Sequence, residues 1–141
     1  MLTAIIDYRS GNLHSAQKAF EKITASNNLG SVVVTSDPKI ISSADRLVLP
    51  GDGAFPSCKA ELMSSEAYEA MVYGVVEKSR PFLGICVGMQ LMATKSYEYQ
   101  ETEGLDWIDG EVKKINPKDK SFKIPHMGWN TLNIESKHPV L

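Results

Sequence analysis

Short apolar runs rich in β-branched residues alternate, over the first 90 positions, with stretches whose apolar residues follow helical spacing. Runs this short and apolar are typical of strands that are buried on both faces of a sheet. They occupy residues 2–6, 32–35, 47–49 and 82–85. Because strands that alternate with helices form parallel sheets with crossover connections, the pattern predicts an α/β fold with an open, mostly parallel sheet and flanking helices.

The polar residues between these runs mark where helices begin. Ser10-Gly11-Asn12 precedes a stretch with helical spacing, and Asp37 supplies a cap residue before a proline in the first turn. Residues 66–78 predict a further amphipathic helix that leads into the strand at 82–85.

The pattern changes after residue 90. Residues 110–115 and 129–134 alternate between apolar and polar side chains, which is typical of half-buried antiparallel strands. We therefore expect antiparallel strands in the second half. At 141 residues the whole chain, 1–141, is the size of a single domain.

Charge and cysteine content exclude several classes of protein. Fifteen basic and seventeen acidic residues, without long charge runs, form no electrostatic footprint for nucleic acid, so the expected ligand is a small molecule or another protein. Cysteine occurs only at 58 and 86, which indicates neither a disulfide framework nor a metal site and favours a reducing cytoplasm. No apolar run has the length of a signal peptide core or a membrane span. We expect a cytoplasmic protein without a metal or cofactor.

The most informative motif is Gly-Ile-Cys-Val-Gly at 84–88, which follows an apolar strand and precedes a helix-like stretch. This is a nucleophile elbow with cysteine in place of serine, in which a turn too tight for flanking side chains leaves the nucleophile exposed. A helix N-terminus at Cys86 would also favour the thiolate. The alternative is a buried structural cysteine. The two flanking glycines favour the nucleophile.

Two further segments end strands at the same edge of the sheet, where ligands gather in open α/β folds. Pro-Gly-Asp-Gly at 50–53 contains two glycines, so its N–H groups can turn toward a ligand as an oxyanion hole; the alternative is an ordinary turn. Ser10 and Asn12 close the first strand, and helix capping is a better explanation for them than ligand binding.

A cysteine nucleophile normally needs a histidine base that a carboxylate or amide orients. His14 is expected on the surface of the first helix, and His138 lies beside a proline at the end of the chain. His126 is the best candidate, but no acidic residue lies near it in sequence. None of the three makes a convincing triad.

Taken together, the motifs at 50–55, 84–90 and 125–130, with the opening segment 7–13, occur in an order and spacing that resembles a known family. The chain resembles the glutamine amidotransferase subunits of imidazole glycerol phosphate synthases, which are class I, triad-type glutaminases. The resemblance covers essentially the whole chain. It implies a class I amidotransferase fold, glutamine as the substrate, a thioester intermediate, and delivery of ammonia to a cyclase subunit in histidine biosynthesis.

The resemblance also implies roles for individual residues. It makes Cys86 the nucleophile and the Val87 N–H one oxyanion donor, while a peptide of the strand at 51–53 flips to supply the other. Gln90 would help to hold the glutamine substrate. The segment around His126 would face the cyclase subunit, so His126 becomes a structural or interface residue. The remaining residues that the resemblance assigns are the oxyanion strand Gly51, Asp52 and Gly53 and the partner interface Pro125, Met127, Trp129 and Asn130.

One feature of that family is missing from the sequence. Its members continue to a His-Pro-Glu segment that completes the triad, and no His-x-Glu occurs in these 141 residues. We therefore expect a C-terminally truncated chain that lacks the last strands and is inactive or nearly so by itself. An unpaired sheet edge next to residues 110–115 and 129–134 would favour self-association. Two alternatives remain: a non-catalytic partner-binding module that retains the elbow, and a stand-alone cysteine hydrolase that uses His126.

Overall fold

The computed structural model describes residues 1–119 and 121–137. Strands and helices alternate up to the elbow, and α4 continues directly into a π-helical segment, Tyr73–Glu77. The elements of this first part are β1 (Leu2–Ile6), α1 (Leu13–Asn27), β2 (Ser31–Thr35), α2 (Pro38–Ser43), β3 (Arg46–Gly51), α3 (Phe55–Ser64), α4 (Ala67–Val72) and β4 (Phe82–Cys86). The second part contains α5 (Val87–Gln90), β5 (Ala93–Ser96), β6 (Thr102–Glu103) and β7 (Ile108–Val112).

The first four strands form one parallel sheet in the order β2-β1-β3-β4. This confirms the predicted α/β class, and the four predicted strands lie within the observed ones. Since all strands run the same way, their carboxyl ends share one edge of the sheet. Gly51, the last residue of β3, pairs there with Cys86, the last residue of β4.

Burial differs between the inner and outer strands. The side chains of β1 and β3 are almost all buried, as predicted for strands covered on both faces. The prediction is wrong for both outer strands: no residue of β2 is fully buried, and Leu83 of β4 is 50% exposed. Within the described residues β4 pairs only with β3, so one of its edges is free. An apolar run reports that a strand is hydrophobic, but its position in the sheet decides whether both faces are covered.

Helix starts agree with the sequence at two places. The Asn12 side chain accepts a hydrogen bond from the Ser15 N–H and caps α1. The Asp37 side chain accepts one from the Lys39 N–H and caps α2. Both are local features, because the acceptor and the donor lie two or three residues apart.

The second part differs from the prediction. The strand expected at 110–115 is β7, Ile108–Val112, and it runs parallel to β5 rather than antiparallel to a neighbour. Among the strands of the described residues, only β5 and β6 pair antiparallel. Residues 129–134 form neither helix nor strand and are exposed. Alternation indicates that one face is exposed, but it carries no information about the direction of the neighbouring strand. Within the described residues β7 pairs only with β5, so the free edge expected beside residues 110–115 is present, although residues 129–134 form no strand. The first sheet has a further free edge at β4 and another at β2.

Candidate active site

Cys86 lies at the junction of β4 and α5 in a strained conformation, with φ +56° and ψ −118°. Positive φ is rare for residues other than glycine and is concentrated at functional sites. The residue is exposed, whereas the other cysteine, Cys58, is buried. The structure therefore gives Cys86 the geometry of a nucleophile elbow.

Glycines around the elbow are required because backbone packs directly on backbone. A Cβ at Gly84 would overlap the backbone of Met89 and the Gly88 carbonyl, and a Cβ at Gly88 would overlap the carbonyl oxygen of Leu49. At Gly51, a Cβ would overlap the Gly88 nitrogen. The turn can be this tight only while these three positions lack side chains.

The helix after Cys86 is a single turn. The apolar residues that follow the elbow in the sequence indicate a longer helix. The observed helix ends at Gln90, and β5 begins at Ala93. Leu91 is fully buried and anchors this exit from the elbow in the core. What α5 offers a ligand is the unpaired N–H groups of its first turn, beginning with Val87.

A cleft of about 670 Å³ opens beside Cys86. Cys86 itself and three further residues expected from the sequence, Gly53, Val87 and Gln90, line it. The opposite wall comes from the second sheet, which the sequence did not assign to the site. Its lining residues there are Tyr97, Glu98, Tyr99, Val112, Lys113 and Lys114.

The second-sheet wall is held by polar contacts. The Glu98 carboxylate accepts a hydrogen bond from the Phe55 N–H at 2.8 Å, which ties the connection after β5 to the start of α3. The Tyr97 hydroxyl donates to Glu111 at 2.9 Å, and Glu111 forms an ion pair with Lys113. The hydrogen bond with Glu111 raises the pKa of Lys113, so this ammonium stays charged at the cleft.

The expected oxyanion turn is divided between two sides of Cys86. Gly53, with φ +105°, lines the cleft already described, whereas Gly51 and Asp52 line a second cleft on the side of α1. The Asp52 N–H donates to the Ser10 hydroxyl oxygen at 3.1 Å, and that hydroxyl donates to the Asp52 carbonyl at 2.9 Å. Ser10 therefore does not cap α1. The Ser10 hydroxyl instead holds the turn after β3, and the Asp52 N–H points toward this hydroxyl.

Cys58 takes part in the same buried cluster. Its sulfur lies 3.2 Å from the Ser10 hydroxyl oxygen, and its thiol donates to the Asp52 carbonyl at 3.3 Å. Sequence reasoning did not connect these residues, because Ser10 and Cys58 are 48 positions apart. The Ser10 hydroxyl and the Cys58 thiol therefore both hold the turn after β3 through Asp52.

The described part of the chain contains no histidine that lines either cleft at Cys86. His14 is exposed on α1, and His126 is exposed in the segment without helix or strand. His138 lies outside the described residues. Residues 1–119 and 121–137 also contain no group of three or more His, Cys, Asp or Glu side chains suited to a metal ion. Over the same residues, none of the helices is long and apolar enough to cross a membrane.

The expected partner interface is fully accessible. Pro125, Met127, Trp129 and Asn130 are all exposed, and Trp129 makes almost no contact with the rest of the chain at 105% relative exposure. The structure brings none of these four residues to the Cys86 clefts.

A parallel sheet that ends in a strained, exposed cysteine defines an α/β protein with a cysteine nucleophile elbow. The family model described as glutamine amidotransferase class-I matches residues 4–138. The chain belongs to the class-I glutamine amidotransferase family.

Curated relatives agree with this assignment. The chain is similar to the protein named imidazole glycerol phosphate synthase subunit HisH from Ruegeria pomeroyi, with 61% identity over 99% of this chain and 66% of the relative. Proteins of the same name from Cereibacter sphaeroides and Bradyrhizobium diazoefficiens are 52% and 56% identical, each over 100% of this chain and over 67% and 66% of their own lengths. The chain spans about two thirds of the length of these relatives.

Proposed function

We propose that the chain contributes the nucleophile of a cytoplasmic glutaminase, the glutamine amidotransferase subunit of an imidazole glycerol phosphate synthase. In this role it passes ammonia to a cyclase subunit in histidine biosynthesis. The names of the relatives support the enzyme, and the strained, exposed Cys86 beside a cleft supports the chemistry.

The reaction begins with attack of the Cys86 thiolate on the side-chain amide carbon of glutamine. The new C–S bond converts the amide oxygen into an oxyanion. Collapse of this tetrahedral intermediate breaks the C–N bond, and the leaving nitrogen takes up a proton and departs as ammonia. Water then attacks the resulting γ-glutamyl thioester, which releases glutamate and restores the thiol.

The oxyanion needs preorganised N–H donors close to Cys86. We assign one to Val87, the first residue of α5, and a second to a peptide of the turn Gly51-Asp52-Gly53. The pairing of Gly51 with Cys86 supports this assignment, because it keeps the turn beside the nucleophile. Gln90 shares the cleft with Cys86 and is a suitable contact for the substrate.

Proton transfer is the part of the reaction for which the described residues offer no group. Neither cleft at Cys86 is lined by a histidine within that part of the chain. We therefore expect the 141-residue chain, assayed by itself or with a cyclase subunit, to hydrolyse little or no glutamine. Addition of a His-Pro-Glu segment from a relative should restore hydrolysis.

Selective alkylation tests the proposed nucleophile. Cys86 should react with iodoacetamide and with a glutamine-mimicking chloroketone well before Cys58, because Cys58 is only 2% exposed and is engaged by Ser10 and Asp52. Peptide mapping of the folded chain measures both sites, and Cys86→Ser is the matched control that should leave only slow labelling. Equal rates at the two cysteines would contradict the proposal, and so would protection of Cys86 from both reagents.

A second candidate function is a non-catalytic module that binds a partner protein and keeps the elbow only as architecture. The exposure of Trp129 and its neighbours favours it. Titration with a cyclase subunit separates the two functions. If Trp129→Ala abolishes binding while the chloroketone never discriminates between Cys86 and Cys58, the binding module is the better description.

A second copy of the chain is a further candidate partner. We infer that two copies associate through the free edge of β4, since Leu83 is half exposed there and the strand pairs on one side only within the described residues.

A further inference from the structure

The hydroxyl of Tyr8 is a buried polar group without a hydrogen bond. Tyr8 directly follows Asp7 after β1, its side chain is 1% exposed, and its oxygen has no hydrogen-bond partner among the described residues. Buried hydroxyls are normally satisfied, because an unpaired one loses its bonds to water without compensation. Phenylalanine would fill the same space without this cost. The hydroxyl therefore needs an explanation.

The hydroxyl lies directly beneath the turn that follows β3. A Cβ added at Gly51 would stand 3.0 Å from the Tyr8 oxygen, so the missing side chain of Gly51 leaves the hydroxyl facing the backbone of the turn. Burial raises the pKa of Tyr8, with Ser10 and Cys58 near enough to influence it. The phenol thus stays protonated and keeps one O–H to donate.

The same turn has its amide directed away from the nucleophile. The Asp52 N–H donates to Ser10, which leaves this N–H unavailable to an oxyanion at Cys86. To serve as a donor there, the peptide between Gly51 and Asp52 must rotate. Rotation turns the N–H toward Cys86 and carries the Gly51 carbonyl to the opposite side, into the buried cluster. A buried carbonyl needs a donor in that position.

We propose that Tyr8 is a positioning residue whose hydroxyl donates to the Gly51 carbonyl when this peptide rotates. Ser10 is the partner of the turn in the orientation seen here, and Tyr8 is its partner in the rotated orientation. The Tyr8 hydroxyl has no partner in the orientation seen here because its acceptor, the Gly51 carbonyl, faces it only in the rotated orientation. The inference rests on the proposed function, since only an oxyanion at Cys86 requires the rotated peptide.

Two alkylating reagents separate this role from a structural one. A glutamine-mimicking chloroketone first adds to the thiolate through its carbonyl and forms an oxyanion, whereas iodoacetamide is displaced directly and forms none. Tyr8→Phe should lower the chloroketone rate at Cys86 about fivefold, the factor expected for one ordinary hydrogen bond. The iodoacetamide rate should not change. Tyr68→Phe, at a half-buried tyrosine away from the turn, should leave both rates unchanged.

The melting temperature of Tyr8→Phe should equal or exceed that of the wild type, because the substitution removes an unpaired polar atom. A chloroketone to iodoacetamide ratio equal to that of the wild type would overturn the role of Tyr8. A wild-type chain that shows no preference for the chloroketone, relative to a free thiol such as glutathione, would instead overturn the proposed function.

A measurement on the unmodified side chain needs no variant. In wild-type protein labelled with ¹³C at the tyrosine Cζ, the Tyr8 signal should shift when the chloroketone adduct forms, because its hydroxyl gains an acceptor. The Tyr68 signal should stay in place as an internal control. A Tyr8 signal that does not move on adduct formation would overturn the proposal.

Discussion

At the residue scale, the chemistry of the chain depends on how tightly backbone segments approach one another. Cys86 reaches its exposed, left-handed conformation only because Gly84 and Gly88 let the turn lie against its neighbours. At Gly88 the neighbour is the Leu49 carbonyl, a rigid backbone atom that cannot move aside as a flexible side chain would. A substitution at Gly88 tests the elbow without changing Cys86, the proposed nucleophile.

We expect Gly88→Ala to lower the free energy of unfolding by about 1–3 kcal/mol, the usual range for overpacking a rigid site. It should also slow alkylation of Cys86, because β3 and α5 must separate to accept the methyl group. Chemical denaturation and peptide mapping measure the two effects.

Gly110→Ala in β7 is the matched control, since a Cβ there meets nothing within 4 Å. It should change stability by no more than about 0.5 kcal/mol, the range of ordinary surface substitutions. If Gly88→Ala were as well tolerated as this control, close packing at the elbow would not be the reason for the glycine.

At the scale of elements, the second sheet forms a wall of the cleft and must be held against the first. Phe82 in β4 and Trp107, which precedes β7, pack edge to face with ring centroids 5.1 Å apart. Both side chains pack against the main core. This pair therefore links the strand that carries Cys86 to the sheet that carries Tyr97 and Lys113.

A double-mutant cycle measures this link. Phe82→Leu and Trp107→Leu should each destabilise the chain, and together they should cost less than the sum, with a coupling of about 0.5–1.5 kcal/mol as for other aromatic pairs. A pairing of Trp107→Leu with Tyr68→Leu should show additive effects, because among the described residues the Trp107 ring packs on the ring of Phe82 and not on that of Tyr68. Additivity in the Phe82 cycle would mean that the two sheets are held together elsewhere.

At the scale of the whole molecule, the exposed surface is concentrated where the described strands end. β4 presents a free edge with Leu83 half exposed, and the segment from 121 to 137 exposes most of its apolar side chains. Unpaired edges with apolar side chains are templates for pairing with another chain. The molecule therefore combines a well-buried sheet interior with edge strands that have no partner on their outer side within the described residues, and β4 is the one that ends in Cys86.

We expect the chain to self-associate as its concentration rises, through the β4 edge. Leu83→Lys should shift sedimentation toward the monomer, because a charge on an edge strand opposes pairing. Ile23→Lys, on the exposed face of α1 with a comparable exposure of 56%, should leave association unchanged. A wild-type chain that stays monomeric at all concentrations, or an equal effect of both variants, would contradict this expectation.

Features carried by neighbouring residues could be predicted from the sequence. The four parallel strands follow from apolar runs, the starts of α1 and α2 from Asn12 and Asp37, and the elbow from two glycines that flank Cys86. Each of these depends on residues within a few positions of one another. Periodicity and spacing report such features directly.

What only the tertiary structure decided depends on residues far apart in the chain. The parallel direction of β7, the cleft wall at Tyr97, the hold of Ser10 on Asp52 and the unpaired hydroxyl of Tyr8 all require contacts that local spacing does not encode. Ser10 illustrates the limit, because its local pattern indicates a helix cap while its hydroxyl bonds 42 residues away. The sequence by itself determined where Cys86, the proposed nucleophile, lies in the chain. Packing decided which groups surround it, because burial and pairing belong to the whole fold.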